Sequence, residues 1–73
     1  MFQHEKFRER VKALRVESND SMESLGHKMG VTKQAVSRWE SGARMPAIDI
    51  LCNLAEYFGV TVDYLLGQSD DRQ

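Results

Sequence analysis

Five polar residues between Gly30 and Gly42 are spaced to lie on one face of a short helix, and they are Lys33, Gln34, Ser37, Arg38 and Ser41. All five carry hydrogen-bonding groups and none is acidic. In the DNA major groove, guanine offers two acceptors and adenine offers a donor beside an acceptor. This face therefore suits contact with base edges. The alternative interpretation is an ordinary amphipathic surface helix.

The signals at both ends of this segment predict a helix over residues 33–41. Gly30 and Gly42 can end helices by adopting positive φ. The hydroxyl of Thr32 can cap the first turn, and Val31 can pack against Val36 as a hydrophobic staple. The inward side of the helix is apolar and comprises Ala35, Val36 and Trp39. We therefore expect the indole in the core rather than stacked on a base.

Apolar residues recur at spacings of three and four along the whole chain, and strict alternation is absent. This pattern predicts an all-α fold with helices at 5–17, 22–29, 33–41, 48–58 and 62–66. We expect residues 1–67 to form one domain, residues 1–4 to fray, and the polar tail 68–73 to be disordered. The predicted core comprises Phe7, Val11, Leu14, Leu25, Met29, Val31, Val36, Trp39, Leu51, Leu54, Ala55, Phe58, Val60, Leu65 and Leu66.

The second and third predicted helices are joined by a turn of only three residues, 30–32, as in a helix-turn-helix. Ser21 is the expected N-cap of the second helix, with Asp20 and a capping box to Glu23 as the alternative. Gly26 lies in mid-helix, where glycine costs up to ~1 kcal/mol relative to alanine. We expect the close approach of another helix to explain it.

Composition narrows the class of protein. The 73 residues carry one cysteine, Cys52, which excludes an intramolecular disulfide, and His4 and His27 have no partners for a zinc site. We expect Cys52 in the core, flanking the inward stripe of the fourth helix with Ile48, because no histidine is placed to activate the thiol as a nucleophile. No apolar run approaches the roughly 20 residues of a membrane span. The expectation is a cytoplasmic protein without metal, cofactor or membrane contact.

The net charge of −1 is unevenly distributed. Residues 1–44 carry nine Lys/Arg and six Asp/Glu, whereas residues 45–73 carry one Arg and five Asp/Glu. The basic half contains the polar helix face, as a DNA-facing half would.

The sequence contains no paired carboxylates, no Ser/His/Asp or Cys/His set and no phosphate loop, so we expect no enzyme.

The turn at 30–32, the segment VSRWESG at 36–42 and the segment DYLLG at 63–67 together resemble the phage repressor and Cro family of helix-turn-helix proteins, also called XRE-type. The likeness extends over residues 6–67. It implies a lambda-repressor-like domain of five helices that binds operator DNA, usually as a homodimer on a near-palindromic site. Transcriptional regulation, most often repression, is the implied function.

The resemblance also assigns roles to residues. The implied base contacts are Lys33, Gln34 and Arg38, assisted by Thr32 and Ser37. The implied phosphate contacts are Ser21, Met22, Ser41 and Arg44, of which Arg44 could equally be a plain surface charge. Arg15 and Glu40 match an ion pair that joins helix 1 to the end of helix 3 in this family.

The sequence departs from the family pattern at three positions. Met22 stands where glutamine is common, so only its backbone amide remains for a phosphate. Gly26 replaces a usual alanine, and Lys33 replaces a residue that is often uncharged.

Two questions remain open at the level of sequence. Val60, Val62 and Tyr64 are candidates for a dimer seam, or they complete the monomer core. An antitoxin-type regulator with a protein partner and a purely protein-binding helical module are the alternatives to a transcription regulator.

Overall fold

The computed structural model describes residues 4–73, and this part of the chain is all-α. The five helices are α1 His4–Glu17, α2 Met22–Met29, α3 Lys33–Ser41, α4 Ile48–Phe58 and α5 Val62–Leu65. The bounds of α2, α3 and α4 agree with those predicted. Helix α1 begins one residue earlier and α5 ends one residue sooner than predicted. The fraying expected for residues 1–4 concerns three residues outside the described part, whereas His4 belongs to α1.

One apolar core lies between the helices. It is formed by Phe7, Val11, Leu14, Leu25, Val36, Trp39, Leu51, Leu54, Ala55 and Leu65. All ten belong to the predicted core. The other five predicted members are only half-buried and pack against its edge, and they are Met29, Val31, Phe58, Val60 and Leu66. The indole of Trp39 is 3% exposed, so it is a core residue.

Two expectations about α4 are wrong. Cys52 is exposed rather than buried, and Ile48 is 80% exposed rather than placed beside the inward stripe. Leu51, Leu54 and Ala55 define the buried face of the helix. Each residue of an α-helix is rotated by about 100° from the last, so Cys52 points away from that face. The exposure of Ile48 shows that no described residue covers this side of the first turn.

Gly26 lies directly against the backbone of the turn between α2 and α3. A Cβ atom at this position would lie 3.0 Å from the carbonyl oxygens of both Val31 and Thr32. The amide of Val31 donates to the carbonyl of Gly26 at 2.8 Å, which holds the turn against the helix. The expectation of a neighbouring helix at Gly26 is therefore wrong, since the close neighbour is the backbone of the turn itself.

We predict that Gly26→Ala lowers the free energy of unfolding by about 1–3 kcal/mol, because backbone atoms must move to admit the methyl group. Urea unfolding measures the change. Gly30→Ala is the matched control, since its methyl group meets open space and only the positive φ of 73° costs free energy, roughly 1–2 kcal/mol. A Gly26→Ala protein more stable than wild type, as helix propensity alone predicts, would contradict this account.

A buried carboxylate joins α2 to α4. Asp20, in the turn before α2, is 6% exposed. Its Oδ1 accepts hydrogen bonds from Ser24 Oγ at 2.6 Å and Lys28 Nζ at 2.8 Å, and its Oδ2 accepts one from the hydroxyl of Tyr57 at 2.6 Å. The N-cap of α2 is Ser21, whose hydroxyl accepts from the amide of Ser24, so the alternative cap at Asp20 is excluded. Sequence reasoning missed this cluster, which we call the Asp20 hub: Asp20, Ser24, Lys28 and Tyr57.

The hub holds Asp20 in its charged form. Hydrogen bonds from Lys28, Ser24 and Tyr57, in that order of importance, lower the pKa of Asp20 from 3.8 to about 2. The hydrogen bond with Asp20 in turn raises the pKa of Lys28. Because the folded-state pKa lies below the unfolded one, the stabilisation is complete above pH 4 and is lost as the pH falls through 2.

We predict that Asp20→Asn is less stable than wild type at pH 6, and that the difference shrinks by about 2 kcal/mol between pH 4 and pH 2. Denaturant unfolding of both proteins over this range measures it. Comparing the two proteins cancels the contribution of other carboxylates whose pKa is lowered, those of Glu17 and Asp70. A stability difference that is independent of pH would show that the charge of Asp20 is not what the hub stabilises.

The tail 68–73 is folded against α1, so the expectation of disorder is wrong. Arg10 donates to the carbonyl of Ser69 and to the carboxylate of Asp70, each at 2.7 Å. Arg72 donates to both carboxylate oxygens of Glu17, at 2.8 and 3.1 Å. The polar composition of the tail suggested disorder, but its partners are more than 50 residues away in sequence.

No helix within residues 4–73 is long and apolar enough to cross a membrane.

Candidate nucleic-acid interface

The outer face of α3 is free to meet a ligand. Lys33, Gln34, Ser37 and Arg38 are exposed. Within residues 4–73, no hydrogen bond or ion pair engages the side chains of Lys33, Gln34 or Arg38. The spacing of these residues along a regular helix places their donors and acceptors on one side, opposite the buried Val36 and Trp39.

The two hydroxyls at the ends of this face already serve the helix. Thr32 Oγ1 accepts from the amide of Ala35 at 3.1 Å as the N-cap. Ser41 Oγ donates to the carbonyl of Arg38 at 3.2 Å and accepts from the amide of Ala43 at 3.4 Å. Both residues are exposed at the interface. Any contact of these hydroxyls with a ligand would therefore be additional to their hydrogen bonds at the ends of the helix.

An ion pair fixes the C-terminal end of α3 against α1. Arg15 donates from Nε to Glu40 Oε2 at 2.6 Å and from Nη2 to Oε1 at 3.1 Å. The Glu40 side chain is 4% exposed. The hydrogen bond with Glu40 raises the pKa of Arg15. The structure thus forms the pair that the resemblance implied, and the charge of Glu40 is neutralised within the protein.

The first turn of α2 offers backbone donors rather than side chains. Ser21 caps the helix, and the first amides of any α-helix have no partner within the helix itself. The positive end of the helix dipole favours an anion at this place. The side chain of Met22 is half-buried against the core, so it does not substitute for a polar contact. Its amide is what this position offers to a ligand.

The loop after α3 borders a groove that also contains Arg38 of α3. Arg44 is exposed there and, with Arg38, borders this open groove of about 260 Å³ between α3 and the start of α4. The apolar part of the groove includes Trp39, Met45 and Ile50. Two cationic side chains therefore lie on the same edge of the molecule, next to the polar face of α3.

The candidate dimer seam is largely used within the monomer. Val60 and Val62 are half-buried and pack against the core. The ring of Tyr64 lies between two arginines of its own chain, with the guanidinium carbon of Arg10 4.0 Å and that of Arg72 5.5 Å from its centroid. Tyr64 thus contributes to the attachment of the tail, which the sequence did not suggest.

The residues that sequence reasoning missed are those of the Asp20 hub, which lie on or against α2 and are not part of the exposed face of α3. Ser24 and Lys28 are four residues apart and so lie on one side of α2, and Asp20, just before the helix, is four residues from Ser24. This spacing was the available signal for the hub. Its fourth member, Tyr57, comes from α4, and no local spacing pointed to it.

Among residues 4–73, no group of three or more His, Cys, Asp or Glu side chains could hold a metal ion.

Comparison with known proteins places this geometry in a family. The family model for helix-turn-helix proteins matches residues 11–65. The uncharacterised HTH-type transcriptional regulator YobD of Bacillus subtilis is 36% identical over 63 residues, which are 86% of this chain and 56% of that protein. The HTH-type transcriptional activator BcrR of Enterococcus faecalis is 37% identical over 60 residues, which are 82% of this chain and 29% of that protein. The chain thus spans about half the length of YobD and less than a third of BcrR.

A solved structure has the same fold. The P22 c2 repressor protein, in complex with a synthetic operator, has a TM-score of 0.81 and 30% sequence identity to this protein. The likeness covers 86% of this chain and 96% of that chain. From the match over residues 11–65 and the five-helix architecture shared with a repressor, we conclude that the chain belongs to the helix-turn-helix family of the phage repressor, or XRE, type.

Proposed function

We propose that this protein is a sequence-specific DNA-binding transcriptional regulator that inserts α3 into the major groove. The observation that carries the proposal is the exposed face of α3, on which Lys33, Gln34 and Arg38 have no partner within residues 4–73. The ion pair of Arg15 with Glu40 holds that helix in place. Relatives described as transcriptional regulators, and a likeness to a repressor bound to an operator, support the assignment.

The base contacts follow from the side-chain chemistry. Lys33 and Arg38 donate hydrogen bonds to the O6 and N7 acceptors of guanine, and Gln34 pairs with the donor and acceptor of adenine. Thr32 and Ser37 assist with their hydroxyls. Lys33 and Gln34 belong to the first turn of α3, the end that enters the groove in helix-turn-helix proteins.

The phosphate contacts lie on both flanks of α3. The N-terminus of α2 offers the backbone amides at Ser21 and Met22 to one strand, with the helix dipole in support. Ser41 and Arg44 contact the other strand. Phosphate contacts of this kind fix the register of the protein on the duplex, and base contacts then supply the specificity.

The protein binds as a homodimer on a near-palindromic operator in this proposal. One domain of this size contacts few phosphates, and a dimer doubles that number. The half-buried Val60 and Val62 are the candidates for the seam, because the ring of Tyr64 already contacts Arg10 and Arg72 of its own chain. Repression is the simplest outcome, because a dimer bound at a promoter blocks polymerase without any further contact. The protein acts by binding and catalyses no reaction.

Selection from a random duplex library tests the proposal, with the enriched sites then measured by fluorescence anisotropy at several salt concentrations. We expect an enriched site with two-fold symmetry and an affinity that falls steeply with salt. An enriched site without symmetry would keep the DNA-binding role and exclude the dimer. No enrichment and no salt-dependent binding would overturn the proposal in favour of a protein partner.

We predict that Gln34→Ala and Arg38→Ala each reduce the preference for the selected site over random duplex, by about 1–3 kcal/mol for each bidentate pair of hydrogen bonds that the substitution removes. The fold is expected to remain intact, since both side chains are exposed. Lys6→Ala is a charge-matched control for Arg38→Ala, because Lys6 pairs with Asp70 on the side of the tail. Either α3 variant binding both duplexes with the wild-type ratio of affinities would contradict the assigned base contact.

A further inference from the structure

We infer that Asp20 and Tyr57 are positioning residues for DNA binding, which hold the N-terminus of α2 where its amides meet a phosphate. The inference rests on the proposed function and extends it to two residues that contact no DNA themselves. It is carried by the hydrogen bond between the two side chains and by the position of Asp20 directly before the cap of α2.

Helix α2 depends on its surroundings for its orientation. It has eight residues, and isolated helices shorter than about 12–15 residues are marginal in water. Its fully buried residues, Leu25 and Gly26, both lie in the middle of the helix, and Met22 in the first turn is only half-buried against the core. Burial therefore holds the centre of the helix most firmly, and polar contacts add to the packing of Met22 at its N-terminal end.

The Asp20 hub supplies a contact of this kind on the side of α4. Ser24 and Lys28 are four residues apart on α2 and share one side of it, and Asp20 accepts hydrogen bonds from both from the turn before the helix, so the three form one row. The hydroxyl of Tyr57 reaches the row from α4 and donates to Asp20 at 2.6 Å. Lys28 Nζ also lies 2.8 Å from the same hydroxyl, so that Tyr57 contacts both ends of the row.

The backbone of Asp20 is held from the opposite side by α1. Arg15 Nη1 donates to the carbonyl of Asp20 at 2.9 Å, while the rest of the same guanidinium binds Glu40 at the end of α3. The residue before the cap of α2 is thus fixed by its side chain to α4 and by its carbonyl to α1. The position of the phosphate-binding amides is set relative to α3 through these two contacts.

The consequence for DNA binding is specific. Loosening the hub moves the α2 amides away from their phosphate, but it leaves the side chains on α3 unchanged. Binding should then weaken equally on every sequence, since phosphate contacts carry no sequence information. The salt dependence of the affinity should stay close to that of wild type, because a backbone amide carries no net charge and the slope counts phosphates neutralised by Lys and Arg.

Tyr57→Phe tests the inference, because it removes one hydroxyl and retains the ring. Affinities for the selected duplex and for a scrambled duplex are measured by anisotropy at several salt concentrations. We expect both affinities to fall by the same factor, with their ratio and the salt slope unchanged. Val11→Ala is the control for reduced stability, since Val11 is a fully buried core residue outside the hub.

The control is expected to lower the melting temperature and to leave both affinities at their wild-type values, with the assay run well below unfolding. Wild-type affinities in Tyr57→Phe would overturn the inference and leave Tyr57 with a purely structural role. A changed ratio between the two duplexes would also overturn it, because the hub would then act on base contacts. Failure of wild-type protein to bind either duplex in a salt-dependent way would instead refute the proposed function, and the inference with it.

Discussion

The arrangement of α1, α2 and α3 depends on one guanidinium group. Arg15 binds both carboxylate oxygens of Glu40 and the carbonyl of Asp20, and so joins the end of α3 and the start of α2 to α1. Breaking a buried ion pair by removing one partner costs more than the pair itself contributes, since the remaining charge stays out of water. Substitution of either Arg15 or Glu40 is therefore costly. The pair holds α3 in place from one side and leaves the opposite face of the helix exposed.

The two halves of the helix-turn-helix are held together by different means. At the turn, the backbone of residues 30–32 lies directly on Gly26, so that this end of the unit has little freedom. At the opposite end of α2, the contacts are polar and come from Asp20, Lys28 and Tyr57. At the turn, the close backbone contact resists further approach, and the hydrogen bond from the Val31 amide to the Gly26 carbonyl resists separation. The N-terminal end of α2 depends instead on side chains, so substitutions in the Asp20 hub can shift it.

Local signals made most of the fold predictable from sequence, and distant partners account for what was missed. Ser21, Thr32 and Gly42 mark helix ends through contacts within a few residues, and the structure places them there. The exposed face of α3 followed from helical spacing in the same way. The attachment of the tail through Arg10 and the contact of Tyr57 with Asp20 join residues 37 to 60 positions apart, which no local pattern encodes. The exposure of Cys52 was missed because an apolar side chain was assumed to be buried.

The buried charge of Asp20 also constrains how this protein can change during evolution. Replacing Lys28 or Tyr57 would leave the buried carboxylate of Asp20 short of donors, so that such a single substitution is worse than either intact arrangement. Positions 20, 24, 28 and 57 are thus expected to be inherited as a set. Homologues would carry either this polar group or an apolar one, with few sequences in between, and the four positions would co-vary in an alignment.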